Sequence, residues 1–171
     1  MRNEGNRRSK KRIIIIGGVA SGTCAAAKAR RKSEAAEIVI YEKYKYISYG
    51  TCGLPYFVSG SIADIEKLII NTVELFEKRF NVRVNTLHEV LEIHPGNKSI
   101  LVRNLTTNEE FKDYYDKLII ATGSEPAVIY HELFGAVNVF SLRTIDDAVL
   151  LKEYINELSR RNYSYKENSD D

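Results

Sequence analysis

Residues 13–22 read Ile-Ile-Ile-Ile-Gly-Gly-Val-Ala-Ser-Gly, and this stretch decides the fold. Four consecutive β-branched residues predict a short strand that is buried on both faces. Residues 23–31, Thr-Cys-Ala-Ala-Ala-Lys-Ala-Arg-Arg, form a strong helix-forming segment whose small side chains allow close packing on a strand. Residues 37–42, Glu-Ile-Val-Ile-Tyr-Glu, predict a second strand that ends in an acid. The stretch is therefore a βαβ unit with a glycine turn after its first strand.

This unit has the features of a dinucleotide site. Gly17 permits a tight turn, Gly22 permits close helix–strand contact, and the helix N-terminus presents N–H groups to a pyrophosphate. Glu42 ends the second strand, where a carboxylate can accept hydrogen bonds from a ribose. Val19 departs from the pattern, because the middle glycine of G-x-G-x-x-G would stand there. The alternative is a purely structural glycine turn in an α/β protein.

The rest of the chain predicts a parallel sheet with an inserted antiparallel meander. We expect a helix over about 71–80, with Asn71 or Thr72 as its cap, and a strand at 82–84. Further strands are predicted at about 87–94, 99–105, 109–115 and 116–123, and a last helix from 146 to about 160. The Thr-Gly end of the strand at 116–123 can bring backbone close to a cofactor; the alternative is a simple turn. The predicted fold class is α/β, a three-layer Rossmann-like arrangement.

Composition excludes several classes of protein. A net charge of +2 over 171 residues is too small to argue for nucleic-acid binding, and the basic run at 7–12 predicts a solvated tail. No stretch approaches the roughly 20 apolar residues of a membrane span, and no signal peptide is recognisable. Two cysteines without a signal predict a reducing, cytoplasmic setting. The three histidines, at positions 88, 94 and 131, lack the spacing of metal ligands, so no metal site is expected.

A second distinctive stretch is residues 48–56, Ser-Tyr-Gly-Thr-Cys-Gly-Leu-Pro-Tyr. Proline is favoured in the first turn of a helix, so Cys52 is predicted to lie at a helix start. The free N–H groups there favour the thiolate form of a cysteine. The alternative interpretation is a small buried cysteine in a loop.

Together these stretches resemble the coenzyme A-disulfide reductases, the single-cysteine branch of the flavin-dependent pyridine nucleotide-disulfide oxidoreductases. The resemblance covers roughly residues 12–160, and the cysteine motif is its most specific part. It also draws on the glycine turn, on the Leu-Ile-Ile-Ala-Thr-Gly strand end at 118–123, and on residues 142–148, Leu-Arg-Thr-Ile-Asp-Asp-Ala.

The resemblance implies FAD as cofactor, NAD(P)H as reductant and coenzyme A disulfide as substrate. It makes Cys52 the nucleophile, cycling between a thiolate and a mixed disulfide with coenzyme A. The implied FAD-binding residues are Gly17, Gly18, Val19, Ala20, Ser21, Gly22, Tyr41, Glu42, Lys43, Cys52, Val90, Ala121, Thr122 and Gly123. The implied coenzyme A-binding residues are Cys24, Lys28, Arg31, Ser48 and Thr51.

Individual positions distinguish between the different enzymes of the family. The residue five after Cys52 is Phe57, whereas two-cysteine members have Cys-x₄-Cys. NADH oxidases and peroxidases carry a histidine at the place of Ala20, so coenzyme A disulfide is favoured over peroxide or oxygen. Thr51 replaces an asparagine usual in the motif, which bears on the contacts to substrate. Lys28 and Arg31 lie one turn apart and can meet phosphates; the alternative is solvated helix charge.

The family's organisation implies three parts here: a basic flexible tail at 1–12, an incomplete FAD-binding domain at 13–142, and a connecting helix with a polar tail at 143–171. Family members continue with an NAD(P)H domain, a further flavin-contacting segment and a dimerisation domain. We therefore expect an N-terminal portion of a homodimeric enzyme with a small-molecule substrate, inactive alone and without membrane or nucleic-acid partners. The other candidates are an NADH oxidase or peroxidase with a sulfenic acid at Cys52, and a non-catalytic module that binds FAD or another adenine nucleotide.

Overall fold

The computed structural model describes residues 10–127, 136 and 138–167, with the backbone alone for 162–167. The basic residues Arg7 and Arg8 and the histidine at 131 lie outside this part. Within it the chain forms two compact units. The first comprises the residues up to Tyr49 together with Asn71–Gly123, and the second comprises Gly50–Ile70 and the residues from Ser124 onward.

The first unit is built on a parallel sheet. Its strands are β1 (Arg12–Ile16), β2 (Glu37–Tyr41), β3 (Arg83–Asn85) and β7 (Lys117–Ile120), in the order β3-β2-β1-β7. Ile14 pairs with Val39 on one side and with Leu118 on the other, so β1 is the central strand with neighbours on both edges. Ile14 and Ile15 are completely buried and Ile16 nearly so, as the composition of the run predicts, whereas Ile13 is partly buried.

Two helices of this unit, α1 (Ser21–Lys32) and α3 (Val73–Phe80), supply the cover of one sheet face. Their core contains Ala26 and Phe76 beside Ile15, Ile38 and Ile40 of the strands. Thr72 caps α3, its hydroxyl accepting a hydrogen bond from the Leu75 N–H at 3.3 Å, and Asn81 ends the helix in the left-handed conformation. The predicted helix and its cap are confirmed.

An antiparallel sheet covers the other face. Its strands are β4 (His88–His94), β5 (Ser99–Asn104) and β6 (Glu110–Tyr114), in sequential order. Ile100 and Val102 of β5 pack with Ile14 and Val39 of the parallel sheet in a second buried cluster. Helices, parallel sheet and antiparallel sheet are thus three layers, and the predicted α/β fold with an inserted meander is confirmed.

Polar side chains join the two sheets at one point. Asp113 of β6 accepts hydrogen bonds from the Arg12 guanidinium and from the Tyr41 hydroxyl, both at 2.7 Å. Burial, and next the hydrogen bond to Asp113, raise the pKa of Tyr41 well above its usual range. Burial alone would raise the pKa of Asp113, but the hydrogen bonds from Arg12 and Tyr41 outweigh it and hold that pKa below its ordinary value.

Arg30 ties the end of α1 to the segments that follow it and α3. Its guanidinium donates to five backbone carbonyl oxygens at 2.5–3.2 Å, and none of these bonds goes to a carboxylate. The acceptors are the carbonyl oxygens of Ser33, Glu34, Ala36, Phe80 and Asn81. All three guanidinium nitrogens take part: Nε and Nη2 make one bond each, and Nη1 makes three.

The second unit contains two short 3₁₀ turns, Thr51–Gly53 and Ile65–Leu68, with the helices α2 (Leu54–Val58) and α4 (Ile145–Glu167). Helix α2 packs on α4, where the Lys152 ammonium lies 3.8 Å from the centre of the Phe57 ring. Thr144 and Asp147 form a reciprocal cap at the start of α4: the Asp147 N–H donates to the Thr144 hydroxyl, and the Thr144 N–H donates to the Asp147 carboxylate.

None of the helices in the described part of the chain combines the length and the apolar character needed to cross a bilayer.

Candidate dinucleotide site and cysteine turn

The glycine turn after β1 is the most constrained backbone in the first unit. Gly17 has φ +99°, and a Cβ there would lie 2.3 Å from the Ala121 carbonyl oxygen. A Cβ on Gly22 would lie 1.8 Å from the Gly17 carbonyl oxygen, and one on Gly18 would meet the Ile47 side chain at 2.9 Å. The roles predicted for Gly17 and Gly22, a tight turn and a close helix contact, are those that the geometry requires.

Helix α1 begins directly after this turn and has no side-chain cap. Ala20 precedes the helix without a capping hydrogen bond, and no acid stands in the first turn. The Thr23 hydroxyl points back and donates to the carbonyl oxygens of Val19 and Ala20. Among the described residues, no side chain therefore caps the first N–H groups of this 12-residue helix, which is the arrangement that suits a pyrophosphate.

Glu42 is built into the turn itself. The side chain is 4% exposed, one carboxylate oxygen accepts the Gly18 N–H at 2.6 Å, and the other accepts the Tyr44 N–H at 2.9 Å. Each oxygen of an ionised carboxylate has a second lone pair, so both can still accept a ribose hydroxyl. Glu42 thus closes the end of β2 onto the glycine turn, a contact that the spacing of the sequence did not predict.

The segment after Glu42 meets strand β4. The Lys43 ammonium pairs with the Glu89 carboxylate at 2.9 Å, and the His88 N–H donates to the Glu42 carbonyl oxygen at 2.9 Å. The pairing of β4 with β5 shifts between Val90 and Glu92, so a bulge interrupts the strand there. Bulges occur beside ligand sites, where they redirect the backbone. The role of Val90 in binding FAD, which the family resemblance implies, stays a prediction.

Two other predicted segments lie beside the turn. The Ala121 N–H donates to the Ile16 carbonyl oxygen at 2.8 Å, and Gly123 has φ +73°. On the other side, the Ser48 N–H donates to the Gly18 carbonyl oxygen at 3.0 Å. Ser48 is buried with φ +47°, and its hydroxyl accepts a hydrogen bond from the Asn71 amide at 3.1 Å. Ser48 therefore contacts Gly18 directly, and Ala121 contacts Ile16 at the start of the turn.

Tyr41 contributes to the turn through its backbone. Its carbonyl oxygen accepts the Gly17 N–H at 2.8 Å, whereas its side chain is buried between the two sheets. The predicted contact of Tyr41 with a cofactor stays a prediction.

These residues fit the diphosphate and the adenosine half of FAD. The turn leaves no space for a Cβ at its glycines. The start of α1 offers N–H groups without a side-chain cap, and the Glu42 carboxylate has lone pairs that can accept further hydrogen bonds. Among the described residues, no group of three histidine, cysteine or acidic side chains is arranged to hold a metal ion.

The exposed side of α1 carries three of the residues predicted to contact coenzyme A. Cys24 is an exposed free thiol, and Lys28 and Arg31 are exposed on the same side of the helix. Within the described part of the chain, Lys28 and Arg31 have neither a hydrogen bond nor an ion pair, in contrast to Arg30. Both cations are therefore accessible to a phosphate, and solvated charge remains the alternative.

Cys52 lies in the second unit, at the centre of the 3₁₀ turn Thr51–Gly53 that runs directly into α2. Pro55 stands in the first turn of that helix, as expected. The thiol is exposed and free, so the alternative of a small buried cysteine does not hold. Sequence reasoning missed Leu68, which packs on Gly53 beside this cysteine, because no local pattern links residues so far apart.

Comparisons with known proteins agree on the family. The chain matches the family described as pyridine nucleotide-disulphide oxidoreductase over residues 11–161. It is 32% identical to the coenzyme A disulfide reductase of Staphylococcus haemolyticus over 147 residues, which is 86% of this chain and 33% of that protein.

Two solved structures are similar to the fold. The crystal structure of reduced Bacillus anthracis CoADR-RHD matches with a TM-score of 0.85 at 40% identity, covering 90% of this chain and 28% of that one. The NADH-bound, water-forming NADH oxidase of Lactobacillus brevis matches with a TM-score of 0.81 at 28% identity, covering 86% of this chain and 33% of that one.

The chain spans about a third of the length of the curated relatives it matches. The match over residues 11–161 nevertheless includes the glycine turn, Glu42, the cysteine turn and the strand end at Ala121. This protein belongs to the pyridine nucleotide-disulphide oxidoreductase family.

Proposed function

We propose that this chain is the FAD-binding part of an NAD(P)H-dependent coenzyme A-disulfide reductase, with Cys52 as its nucleophile. The observation that carries the proposal is the state of the cysteine. Cys52 is a free, exposed thiol in the turn before α2, and the side chain five residues later is the buried Phe57. An internal disulfide within this turn is therefore impossible, and the sulfur's redox partner comes from outside the motif.

The first step is thiol–disulfide exchange at Cys52. Its thiolate attacks one sulfur of coenzyme A disulfide, the S–S bond breaks, and one coenzyme A leaves as a thiolate while the other stays in a mixed disulfide. FAD, when bound and reduced by NAD(P)H, would supply the two electrons and the protons needed to return both Cys52 and the second coenzyme A to thiols. The step balances with one NAD(P)H consumed per disulfide.

The residues that hold the cofactor would be those of the glycine turn. The α1 N–H groups would bind the pyrophosphate, Glu42 would accept the ribose hydroxyls, and the backbone around Val90 would face the adenine. The hydrogen bond from the Gly18 N–H to the Glu42 carboxylate, at 2.6 Å, would hold the turn in the conformation that binds the pyrophosphate.

The residues that hold the substrate would include two exposed cations of α1. Lys28 and Arg31 would meet the phosphates of coenzyme A, with Cys24, Ser48 and Thr51 completing the contact. The curated relatives named coenzyme A disulfide reductase, at 32% identity, support this substrate class.

Exchange at Cys52 can be tested directly on this chain. Incubation with coenzyme A disulfide should add the mass of one coenzyme A to the Cys52 peptide, and dithiothreitol should remove it. The matched controls are Cys52→Ser, which should form no adduct at position 52, and Cys24→Ser, in which any adduct that still forms lies at Cys52. An unmodified Cys52 under conditions in which free coenzyme A disulfide oxidises a small thiol would refute the proposal.

A second candidate is an oxidase that passes through a sulfenic acid at Cys52, and the similarity to the water-forming NADH oxidase favours it. Treatment with one equivalent of hydrogen peroxide, followed by a sulfenic-acid probe, distinguishes the two. The oxidase is favoured if Cys52 forms a sulfenic acid with peroxide faster than it forms an adduct with coenzyme A disulfide.

A further inference from the structure

The turn that carries Cys52 is closed by a residue further along the chain, Leu68. The Gly50 N–H donates to the Leu68 carbonyl oxygen at 2.8 Å, and the Gly53 N–H donates to the Gly50 carbonyl oxygen at 3.0 Å. Cys52 lies between these two bonded positions. Its backbone can shift only if one of the two hydrogen bonds breaks or moves.

The side chain of Leu68 occupies the space beside Gly53. A Cβ built on Gly53 would lie 2.3 Å from the Leu68 Cδ2 atom and 3.4 Å from its Cγ. Leu68 is only 7% exposed, so the side chain has little freedom to rotate away. The two residues therefore fit each other as a large and a small partner.

Backbone conformation does not explain the glycine. Gly53 has φ −84° and ψ −15°, which any residue adopts without strain. Glycine is needed at this position for space alone, and the residue that takes the space is Leu68. Gly53 and Leu68 are thus a packed pair in which the size of one side chain requires the absence of the other.

We propose that Leu68 is a positioning residue for Cys52, acting through Gly53 and Gly50. Its side chain and carbonyl group together hold the 3₁₀ turn in one conformation and keep the sulfur exposed and fixed in orientation. In-line thiol–disulfide exchange is sensitive to that orientation. The effect on thiol–disulfide exchange rests on the proposed function. The fit of Leu68 to Gly53 can be tested separately.

The test uses reciprocal substitutions in the whole chain. The variants are Gly53→Ala, Leu68→Ala and the double variant, with Gly96→Ala as control, because a Cβ on Gly96 meets nothing within 4 Å. Each is treated with iodoacetamide, and alkylation of Cys52 is measured relative to Cys24 by peptide mass spectrometry. Cys24 is an exposed thiol of the other unit and serves as the internal standard.

We expect each single substitution to lower the Cys52-to-Cys24 ratio by about threefold to tenfold, and the double variant to return it to within about twofold of the parent. The added methyl group of Gly53→Ala fills part of the gap that Leu68→Ala leaves. A merely structural role would give the opposite pattern, since two destabilising changes would add. Thermal unfolding of all four proteins shows which of them remain folded.

Two results would overturn the inference: an unchanged ratio in folded Gly53→Ala, or a double variant no better than the worse single one. The coenzyme A adduct is measured in parallel to separate the proposals. The absence of an adduct in the parent chain would refute the proposed function. Recovery of the alkylation ratio in the double variant would still support the positioning of Cys52 by Leu68.

Discussion

Glu42 has two tasks at the level of a single residue. Its carboxylate accepts two backbone N–H groups, from Gly18 and Tyr44, while 96% of its surface is removed from water. In the proposed function the same oxygens accept the ribose hydroxyls of FAD. If Glu42 both shapes the turn and accepts the ribose, its replacement should affect stability and FAD binding together.

We therefore expect Glu42→Gln to lower the free energy of unfolding by about 1–3 kcal/mol, because an amide group would turn an N–H donor toward one of the two backbone donors. Urea unfolding followed by circular dichroism measures the change. The control is Glu89→Gln, which removes the half-exposed ion pair with Lys43 and should cost less than about 1 kcal/mol. Equal losses in the two variants would contradict the proposed role of Glu42.

Tyr41 sets the behaviour of the molecule at high pH. Its pKa is raised, so the folded state keeps the phenolic proton to a higher pH than the unfolded chain does. The stabilisation is complete below about pH 10, the ordinary tyrosine pKa, and is lost as the pH rises through the higher folded value. Tyr41→Phe removes this loss, although it also removes the hydrogen bond to Asp113.

The expected result is a urea midpoint that falls above about pH 10 in the parent and falls less steeply in Tyr41→Phe. Tyr114→Phe is the control, since Tyr114 is 59% exposed and lies on the same strand as Asp113. Parallel curves for the parent and Tyr41→Phe would show that another group controls the alkaline limit.

Between elements, α1 closely approaches the turn after β1. A Cβ on Gly22 would lie 1.8 Å from the Gly17 carbonyl oxygen, a backbone atom that no rotamer change can move. We expect Gly22→Ala to lower the free energy of unfolding by at least about 1–3 kcal/mol and to abolish FAD binding, because α1 must move away from β1. Thermal unfolding and flavin fluorescence titration measure the two effects.

Gly96→Ala is the matched control for that experiment, because it makes the same chemical change in the turn between β4 and β5 with no neighbour within 4 Å. Its stability and its flavin titration should equal those of the parent. Normal FAD binding by Gly22→Ala would mean that the turn does not carry the pyrophosphate.

Elements with a local signal were predictable. The isoleucine run gave β1, the turn residues at Pro95–Asn97 separated β4 from β5, and Thr72 marked the start of α3. The position of Cys52 before a helix followed from Pro55. In each case the cause lies within a few residues of the element, which is why propensity and periodicity detect it.

Contacts across the chain were not predictable in the same way. Nothing near Ser48 in the sequence indicates that its N–H binds Gly18, and nothing near Gly53 indicates Leu68. The bulge between Val90 and Glu92 likewise depends on the pairing with β5. Such features arise from tertiary packing, so a single sequence contains no periodic signal for them.

For the molecule as a whole, the proposal predicts stabilisation by FAD and not by FMN. A ligand bound only by the folded chain adds about 2.7 kcal/mol at a concentration a hundred times its Kd. FMN lacks the adenosine half and its phosphate, which are the parts that Glu42 and the glycine turn would bind. Melting curves with each flavin measure the shift, and equal shifts would contradict an adenosine-binding turn.

Concentrated salt should distinguish the contacts of two arginines, Arg12 and Arg30. The guanidinium of Arg12 faces carboxylates, and dissolved ions weaken attraction between opposite charges. Among the described residues, the Arg30 guanidinium donates to neutral backbone carbonyl oxygens only, so concentrated salt should weaken the contact between α1 and the end of α3 less than it weakens the ion pairs of Arg12.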